Sequence, residues 1–388
     1  MIGFDEALAL VAETARPLGS ETVPLAEAHG RVLAAPVVAQ VDSPPRDLSA
    51  MDGYAVRDAD LPGRLPVAGV AYAGDGAATL APGTCLRIFT GGPVPEGADR
   101  IVIQENVTRE GDMAVFGEAG AARHIRPRGA DFTAGATLLH PGRRLGPRQL
   151  IAAAGADLGE VEVWRQPSLA IFATGDELAV PGMARERPGA IPESLLPGIA
   201  ALAEEAGGAI VMSRRLKDNL PELEQMAGWA LERADLVVVT GGASVGERDF
   251  AKAMFAPAGL ELIFSKVAIK PGKPVWLGRV GGRLAMGLPG NPTSAMVTAR
   301  LLLAPLLAGL SGRDAALDWR QAPLAAPLGP CGDRETFVRA TWDGLAVRAA
   351  DYQDSGAQKT LAEADLLIRR RPGAPAAEAG EMVEIIDF

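Results

Sequence analysis

Between residues 168 and 311, short apolar runs alternate with segments of helical periodicity, and this alternation limits the possible fold more than any other feature. Apolar runs at 169–173, 209–212, 236–239 and 284–288 predict strands, and 262–269 is expected to be extended. Helical spacing predicts helices at 195–206, 220–234 and 250–255, and a longer helix is expected to be capped at Thr293 or Ser294. Asn219 is the expected N-cap of the second helix, with Pro221 in its first turn. Strands that alternate with helices predict a parallel sheet covered on both faces.

Three of these strands are followed by polar, glycine-containing loops: 174–177 (TGDE), 240–246 (TGGASVG) and 288–292 (LPGNP). The carboxyl ends of parallel strands share one edge of a sheet, so the loops are expected to form one ligand site. The 241–246 spacing is similar to the start of a P-loop, but Glu247 and Arg248 stand where Lys and Ser or Thr would be needed, which excludes a P-loop NTPase. A backbone anion nest assisted by Ser244 remains open, and so does a tight turn, which this motif alone favours.

Carboxylates gather at the same expected edge. Asp176 and Glu177 follow one strand, and Asp218 and Asp249 each precede a predicted helix. Each of them alone is explained as a helix N-terminal residue favoured by the helix dipole or by capping. Their convergence near several lysines favours a ligand site, because Mg²⁺ commonly uses one or two carboxylates together with substrate phosphates.

Lysine is concentrated in one part of the chain. Only six lysines stand against 32 arginines, and five of the six lie between residues 217 and 273. In an extended 266–270 segment Lys266 and Lys270 share a face, and a turn at Pro271–Gly272 is expected to bring Lys273 close to them. A solvated basic face is the alternative, but it would not explain why lysine is rare elsewhere. We therefore predict that the three ammonium groups bind an anionic ligand.

Composition excludes several classes of protein. The chain of 388 residues is 48% hydrophobic with a net charge of −10, and its pI is about 5.0, which argues against nucleic-acid binding through phosphate neutralisation. The longest apolar run, 301–310, is too short to span a bilayer and is expected to be a buried helix, so no membrane association is predicted. Two cysteines (Cys85 and Cys331) and three scattered histidines exclude a disulfide framework or a Cys/His zinc site. No secretory signal is visible, and a cytoplasmic location is expected.

The regions on either side of the alternating segment differ from it. The first 165 residues, rich in Gly and Pro, predict an irregular α+β region with helices at 4–15 and 149–154 and strands at 86–89, 100–103 and 113–116. From about residue 312, short apolar runs at 336–342, 346–352, 366–370 and 382–386 predict a small β-barrel or sandwich.

Taken together, these strings resemble the molybdopterin molybdenumtransferase family, which includes bacterial MoeA and the E-domains of its plant counterpart and of gephyrin. The matching strings occur in the expected order at 49–56, 88–99, 126–131, 174–178, 240–250, 266–274 and 288–294. The resemblance implies a multidomain α/β and β protein with a parallel α/β molybdopterin-binding domain, an inserted N-terminal α+β subdomain and a C-terminal small β-barrel. The expected parts are 1–45 with 136–165 (a linker and dimerisation subdomain), 46–135 (the insertion), 166–311 (molybdopterin binding) and 312–388 (the barrel).

The resemblance also implies a reaction and its residues. The substrates would be adenylated molybdopterin and molybdate, with Mg²⁺ required and AMP released. The implied catalytic residues are Asp52, Asp131, Glu177, Asp218 and Asp249, of which Asp218 and Asp249 would hold the metal. The implied substrate-binding residues are Thr90, Ser244, Lys266, Lys270, Lys273, Gly290, Asn291, Pro292, Ser355 and Arg334, the last of which matches an oxyanion-binding arginine of the barrel.

The implied assembly is a homodimer in which Asp52 and Thr90 meet the α/β pocket of the partner chain. Further implied partners are a molybdopterin adenylyltransferase or the chaperones of recipient molybdoenzymes.

The chain departs from the family's usual pattern at three places. Leu48 replaces an asparagine, 192–194 (PES) replaces an Asn-Ser-Asn type string, and Lys359–Thr360 replaces a Ser-Ser pair beside the oxyanion. Two functions therefore stay open: a molybdenum insertase, or a paralogue that binds molybdopterin or a nucleotide without turnover, as a carrier or scaffold. The retained carboxylates favour the enzyme.

Overall fold

The chain forms two compact units in the computed structural model, which describes residues 1–76, 78–241 and 250–388. The large unit comprises Met1–Glu21, Gly30–Ala34 and Val163–Phe388, and the small unit comprises Thr22–His29 and Ala35–Glu162.

The α-helices of the described residues lie mostly in the large unit. They are α1 (Phe4–Thr14), α2 (Pro147–Gly155), α3 (Leu195–Glu205), α4 (Leu220–Arg233), α5 (Phe250–Ala253), α6 (Pro292–Thr298), α7 (Ala304–Leu310) and α8 (Gln358–Glu363). A π-helical turn at Ala299–Leu303 joins α6 to α7, and short 3-10 turns occur at Leu25–Glu27, Asp58–Asp60, Gln104–Asn106, Ala184–Glu186 and Ala256–Ala258.

The small unit is built around a six-stranded sheet. The strands up to residue 164 are β1 (Ser20–Pro24), β2 (Val37–Val38), β3 (Leu48–Ser49), β4 (Gly53–Val56), β5 (Gly63–Ala71), β6 (Cys85–Ile88), β7 (Arg100–Ile103), β8 (Val107–Glu110), β9 (Met113–Phe116), β10 (Ile125–Arg126), β11 (Thr137–Leu139) and β12 (Glu160–Trp164). The sheet order is β7-β4-β6-β5-β9-β8. The strands predicted at 86–89, 100–103 and 113–116 are therefore confirmed as β6, β7 and β9.

A second six-stranded sheet forms the centre of the large unit. Its region contains β13 (Ser168–Thr174), β14 (Leu178–Ala179), β15 (Ile191–Pro192), β16 (Ala209–Leu216), β17 (Leu236–Thr240), β18 (Leu260–Phe264), β19 (Ile269–Lys270), β20 (Trp276–Val280) and β21 (Arg283–Leu288). The order is β16-β13-β17-β21-β20-β18. The first four strands are parallel, as predicted. The last two are antiparallel to their neighbours, which corrects the prediction of a wholly parallel sheet.

Helices cover both faces of this sheet, because apolar side chains of its strands point to both faces. Helices α1, α3, α6 and α7 pack on one face, and α4 and α5 pack on the other. The predicted cap of α4 is confirmed, since the Asn219 side chain accepts a hydrogen bond from the Glu222 amide. The long helix was predicted to be capped at Thr293 or Ser294, but its N-cap is Asn291 and it begins at Pro292.

The segment Pro292–Leu310 has the length and apolar composition of a membrane span, but 78% of that window is buried inside the protein. Its leucines belong to the core of the large unit. The prediction of a buried helix at 301–310 is therefore confirmed.

The end of the chain forms a third six-stranded sheet. Its strands are β22 (Arg320–Pro323), β23 (Glu335–Trp342), β24 (Val347–Ala349), β25 (Leu366–Arg370) and β26 (Met382–Asp387), in the order β19-β23-β25-β26-β22 with β24 beside β23. The four predicted strands are confirmed, while β19, which comes from the α/β region, joins this sheet parallel to β23. That pairing places Lys270 opposite Thr336.

Candidate functional site

A cavity of about 780 Å³ lies at the carboxyl edge of the α/β sheet in the large unit. Its walls include the loops that follow four parallel strands: Glu177 after β13, Asp218 after β16, Gly241 after β17 and Asn291 after β21. The structure thus brings together the loops that topology predicted to share one edge.

Two glycines allow these loops to approach one another closely. Gly241 has a φ of +85°, and a Cβ at this position would lie 2.5 Å from the carbonyl oxygen of Thr174. A Cβ on Gly290 would lie 3.4 Å from the Gly241 Cα. A side chain at Gly241 would force the loops apart, since backbone cannot give way as a flexible side chain does.

The antiparallel strand β20 adds a basic end to the cavity. Because β20 runs opposite to β21, with Trp276 paired to Gly287, the residues before it lie at the same edge, and Lys273 lines the cavity. Lys266 lines it as well, since the Val267 amide donates to the Lys273 carbonyl at 3.1 Å and closes the intervening loop. With strands ~4.8 Å apart, the end of β13 and the start of β20 are separated by roughly 14 Å. The edge therefore has carboxylates towards β16 and β13 and lysines towards β20.

Lys270 does not line this cavity, which corrects the prediction of three converging ammonium groups. It lies in β19, at the far end of the loop that the 267–273 hydrogen bond closes, and lines a second cavity of about 340 Å³ with Arg334, Cys331 and Arg370. The turn between Lys270 and Lys273 is fixed by Gly272, whose φ is +107° and where a Cβ would lie 2.3 Å from the Cγ2 of Thr298. The structure therefore separates Lys270 from Lys266 and Lys273.

The second cavity is lined by an arginine, Arg370, that is itself mostly buried. Arg370 is 6% exposed, and among the described residues its Nη1 has no hydrogen-bond partner. Arg334 lines the same cavity, and its Nη1 donates to the Ile269 carbonyl at 3.3 Å. Lys270 and the two arginines outnumber Asp333, the one carboxylate among the described residues of its lining, and this excess of positive charge suits an oxyanion.

Glu177 and Asp218, two carboxylates of the first cavity that were expected at helix N-termini, are not helix caps. Glu177 is followed by the short strand β14 and not by a helix, and a Cβ on Gly175 would lie 2.8 Å from both Glu177 carboxylate oxygens. The cap of α4 is Asn219, while the Asp218 amide donates to the Asp176 carboxylate at 3.3 Å. The capping alternative is therefore wrong for Glu177 and Asp218, and both line the cavity.

Glu193 is a cavity residue that the sequence showed only as a departure from the family pattern. It is 4% exposed, and its Oε1 accepts hydrogen bonds from the amides of Leu195 at 2.7 Å and Leu196 at 2.9 Å. A carboxylate at the first turn of α3 is stabilised by these free amides and by the helix dipole. An acidic residue just before a helical segment is the signal that could have suggested this role.

The rim of the cavity joins the α/β region to the C-terminal sheet. The Asn291 side chain donates to Ser355 Oγ at 2.9 Å, and the Thr293 amide donates to the Ser355 carbonyl at 3.1 Å. Two residues predicted to bind substrate, Asn291 and Ser355, are thus brought into contact.

Arg339 anchors the segment that carries Ser355, and sequence reasoning missed it. This arginine is 1% exposed. Its guanidinium donates to the carbonyls of Tyr352, Asp354 and Ala357 and to Thr293 Oγ1, at 2.9–3.2 Å. Burial lowers the pKa of Arg339. Its position in β23, in phase with the buried Phe337, was the only sequence signal.

In the small unit, the structure brings Asp52 and Thr90 together. Asp52 Oδ1 accepts from the Thr90 amide at 2.8 Å and from Thr90 Oγ1 at 2.7 Å, and these bonds lower the pKa of Asp52. Asp131 is exposed, and its amide donates to the Ser43 carbonyl at 2.9 Å. Arg87 lies over the rings of Tyr54 and Phe89 at 5.0 and 4.8 Å.

The remaining predicted residues, Ser244 and Asp249, lie outside the described residues. In the described ranges, no group of three or more His, Cys, Asp or Glu side chains is placed so as to hold a metal ion. The predicted ligation of Mg²⁺ by Asp218 and Asp249 together stays a prediction.

Comparison with known proteins covers nearly the whole chain. Residues 2–156 match the family model described as the MoeA N-terminal region (domain I and II), residues 170–309 match a probable molybdopterin binding domain, and residues 321–388 match the MoeA C-terminal region (domain IV). The cavity edge of the α/β sheet lies within the second of these matches.

Similar proteins agree in their names. The chain is 37% identical over 399 residues to molybdopterin molybdenumtransferase 2 of Mycobacterium tuberculosis, which covers 98% of each chain. It is 36% identical to the molybdopterin molybdenumtransferase of Haemophilus influenzae, with 96% of this chain and 95% of that one covered. The crystal structure of the molybdopterin biosynthesis MoeA protein from Pyrococcus horikoshii has a TM-score of 0.86 at 28% identity and covers 100% of this chain and 99% of that chain. The chain belongs to the molybdopterin molybdenumtransferase (MoeA) family, whose members are transferases of molybdenum cofactor biosynthesis.

Proposed function

We propose that this chain is a cytoplasmic molybdenum insertase that uses adenylated molybdopterin and molybdate, requires Mg²⁺ and releases AMP. The observation that carries the proposal is the cavity of about 780 Å³ with lysines at one end of a sheet edge and carboxylates at the other. Such a cavity suits a ligand that carries several phosphates, since anions need the lysines while a divalent cation beside the phosphates needs the carboxylates.

In this proposal Lys266 and Lys273 bind phosphate oxygens of the adenylated substrate. Each charge-assisted contact is worth roughly 1.5–3 kcal/mol. The backbone at Gly241 and Gly290 shapes the floor of the cavity without side chains that would exclude the ligand.

The donor set of the cavity fits Mg²⁺. Glu177 and Asp218 both line it and offer carboxylate oxygens, the ligands that this ion prefers, and substrate phosphates would complete the coordination. When bound, the ion would neutralise charge that develops on the phosphate as AMP leaves. Glu177 would then orient a water molecule for attack on the phosphorus of the adenylate and accept its proton, while the bond from that phosphorus to the AMP oxygen breaks.

Molybdate is assigned to the second cavity. Lys270, Arg334 and Arg370 line it, and their positive charges would attract and hold an oxyanion. Two cavities with different basic residues would hold the two substrates separately.

The test is the release of AMP by the Glu177→Gln variant. Wild-type protein is incubated with adenylated molybdopterin, molybdate and Mg²⁺, and AMP is measured by chromatography. The variant should bind the adenylate but release AMP ~10²-fold more slowly or worse, because a general acid–base group is lost. Glu186→Gln is the matched control. Glu186 is exposed, lies between β14 and β15 in the segment that follows Glu177, and does not line the cavity.

Two results would contradict the proposal, the first for the insertase activity and the second for the role of Glu177. If wild-type protein binds the adenylate and never releases AMP, the chain is a carrier or scaffold. If the Glu177→Gln variant releases AMP at the wild-type rate, Glu177 has no catalytic part.

A further inference from the structure

Glu193 is a buried carboxylate in the wall of the first cavity that the proposed reaction does not use. It is 4% exposed and lines the cavity together with its neighbours Pro192 and Ser194. Burial of a carboxylate is costly unless hydrogen-bond donors satisfy it. This side chain therefore needs donors, and the structure shows where some of them come from.

The donors that the chain supplies all reach one oxygen. Oε1 accepts the amides of Leu195 and Leu196, and these bonds fix the carboxylate plane at the start of α3. In the part of the chain that the structure describes, Oε2 takes no such bond. The lone pairs of Oε2 are thus left for a donor from within the cavity, because a carboxylate has about four acceptor positions.

The position of Glu193 separates it from the phosphate-binding lysines. Its amide donates to the Ala179 carbonyl at 2.8 Å, which ties it to the segment that follows β13, whereas Lys273 precedes β20, three strands along the sheet edge. Because Glu193 already occupies the first amides of α3, a phosphate of the ligand has no free helix terminus there. A ligand is therefore oriented with its anionic part towards Lys266 and Lys273 and with N–H donors towards Glu193.

We propose that Glu193 is a specificity-determining residue that recognises the pterin ring through its 2-amino group. The 2-amino group of a pterin is such an N–H donor, and Oε2, the oxygen of Glu193 that the α3 amides leave free, can accept from it in a charge-assisted hydrogen bond. A ring in which the amino group is replaced by a carbonyl presents an acceptor to Glu193 and is rejected. This proposal rests on the proposed function, because it takes molybdopterin as the ligand of the cavity.

The test compares two phosphorylated rings that differ only at this position. The phosphate monoester of 6-hydroxymethylpterin carries the 2-amino group, and the phosphate monoester of 6-hydroxymethyllumazine carries a carbonyl there. Binding of each is followed by quenching of the pteridine fluorescence, and molybdopterin is titrated in parallel. Wild-type protein should prefer the pterin by about tenfold or more, the range for a hydrogen bond to a charged group.

Two variants isolate the effect of Glu193. Glu193→Gln keeps a side-chain oxygen for the amides of Leu195 and Leu196, so α3 stays capped. The side-chain NH2 of the glutamine can also donate to the carbonyl of the lumazine ring, so the variant should bind the two rings equally. Glu204→Gln lies on the exposed part of the same helix and should keep it. Thermal unfolding of both variants verifies that they are folded.

Each outcome decides between the proposals. Equal binding of the two rings by wild-type protein, or a preference retained in Glu193→Gln, overturns the role of Glu193 while leaving molybdopterin binding intact. Wild-type protein that binds molybdopterin but neither ring holds its ligand by the dithiolene, which also rejects pterin recognition by Glu193. If wild-type protein binds no molybdopterin at all, the proposed function fails with it.

Discussion

Asp235 offers a quantitative test of how a buried charge supports the α/β sheet. It lies at the start of β17 and is 5% exposed. Its carboxylate accepts hydrogen bonds from Arg165 at 2.9 and 3.1 Å, from Arg283 at 2.6 Å, and from the Ser168 amide and hydroxyl at 2.9 and 2.7 Å. Asp235→Asn removes the charge while keeping the size of the side chain.

The pKa of Asp235 gives the expected magnitude. Burial by itself would raise this pKa, but hydrogen bonds from Arg165 and Ser168 outweigh it and lower the pKa from 3.8 to about 2. A shift of this size corresponds to about 2.5 kcal/mol of unfolding free energy. Because the pKa is lower in the folded state, this stabilisation is fully present above pH 3.8 and is lost as the pH falls towards 2.

Urea unfolding, monitored by tryptophan fluorescence, reports on the stability of the large unit of the protein. All five tryptophans (Trp164, Trp229, Trp276, Trp319 and Trp342) belong to the large unit, which contains Asp235. At pH 7 the variant should be less stable than wild type by about 2.5 kcal/mol, and the difference should shrink between pH 4 and pH 2. Ligand binding should be unchanged, because Asp235 lies at the amino edge of the sheet, opposite the cavity.

The exposed Asp351 of the same unit provides the control variant, Asp351→Asn, which should unfold like wild type at every pH. A stability difference between wild type and Asp235→Asn that stays constant from pH 7 to pH 3 would refute the electrostatic reasoning. So would a variant as stable as wild type at pH 7.

Two further predictions concern the cavities. Lys273→Ala should weaken binding of adenylated molybdopterin by about tenfold or more, whereas Lys270→Ala should weaken binding of molybdate, because the two lysines line different cavities. Titration calorimetry of each variant with each ligand measures these affinities. Equal effects of both variants on both ligands would contradict the prediction. Arg339→Met should lower the unfolding free energy by ~1–3 kcal/mol, because the carbonyls of Tyr352, Asp354 and Ala357 lose their donor, and it should also weaken adenylate binding by releasing the rim around Ser355. The exposed Arg348→Met is its control, and an Arg339→Met protein with wild-type thermal stability and affinity would show that the rim is held by other contacts.

Local sequence signals predicted most elements of the large unit. The apolar runs of β13, β17 and β21 and the spacing of α3 and α4 reflect contacts that each segment makes with the core, so they are visible without knowledge of the partners. The shared edge of their loops followed from the rule that parallel strands end on one side. The strand β20 was not predicted, although Gly281–Gly282 between two apolar runs is a hairpin signal.

The sequence by itself determined the α/β architecture and the family, and it predicted an anion site, because these depend on periodicity and on short motifs. Only the tertiary structure decided how the charged residues are divided. Lys270 and Lys273 are three residues apart, yet they line separate cavities, since the turn at Gly272 and the pairing of β19 with β23 send them in different directions. Glu193 and Arg339 acquire their roles from amides and carbonyls supplied by α3 and by residues 352–357. Such contacts join segments whose packing fixes the distances, and no local pattern along the chain encodes them.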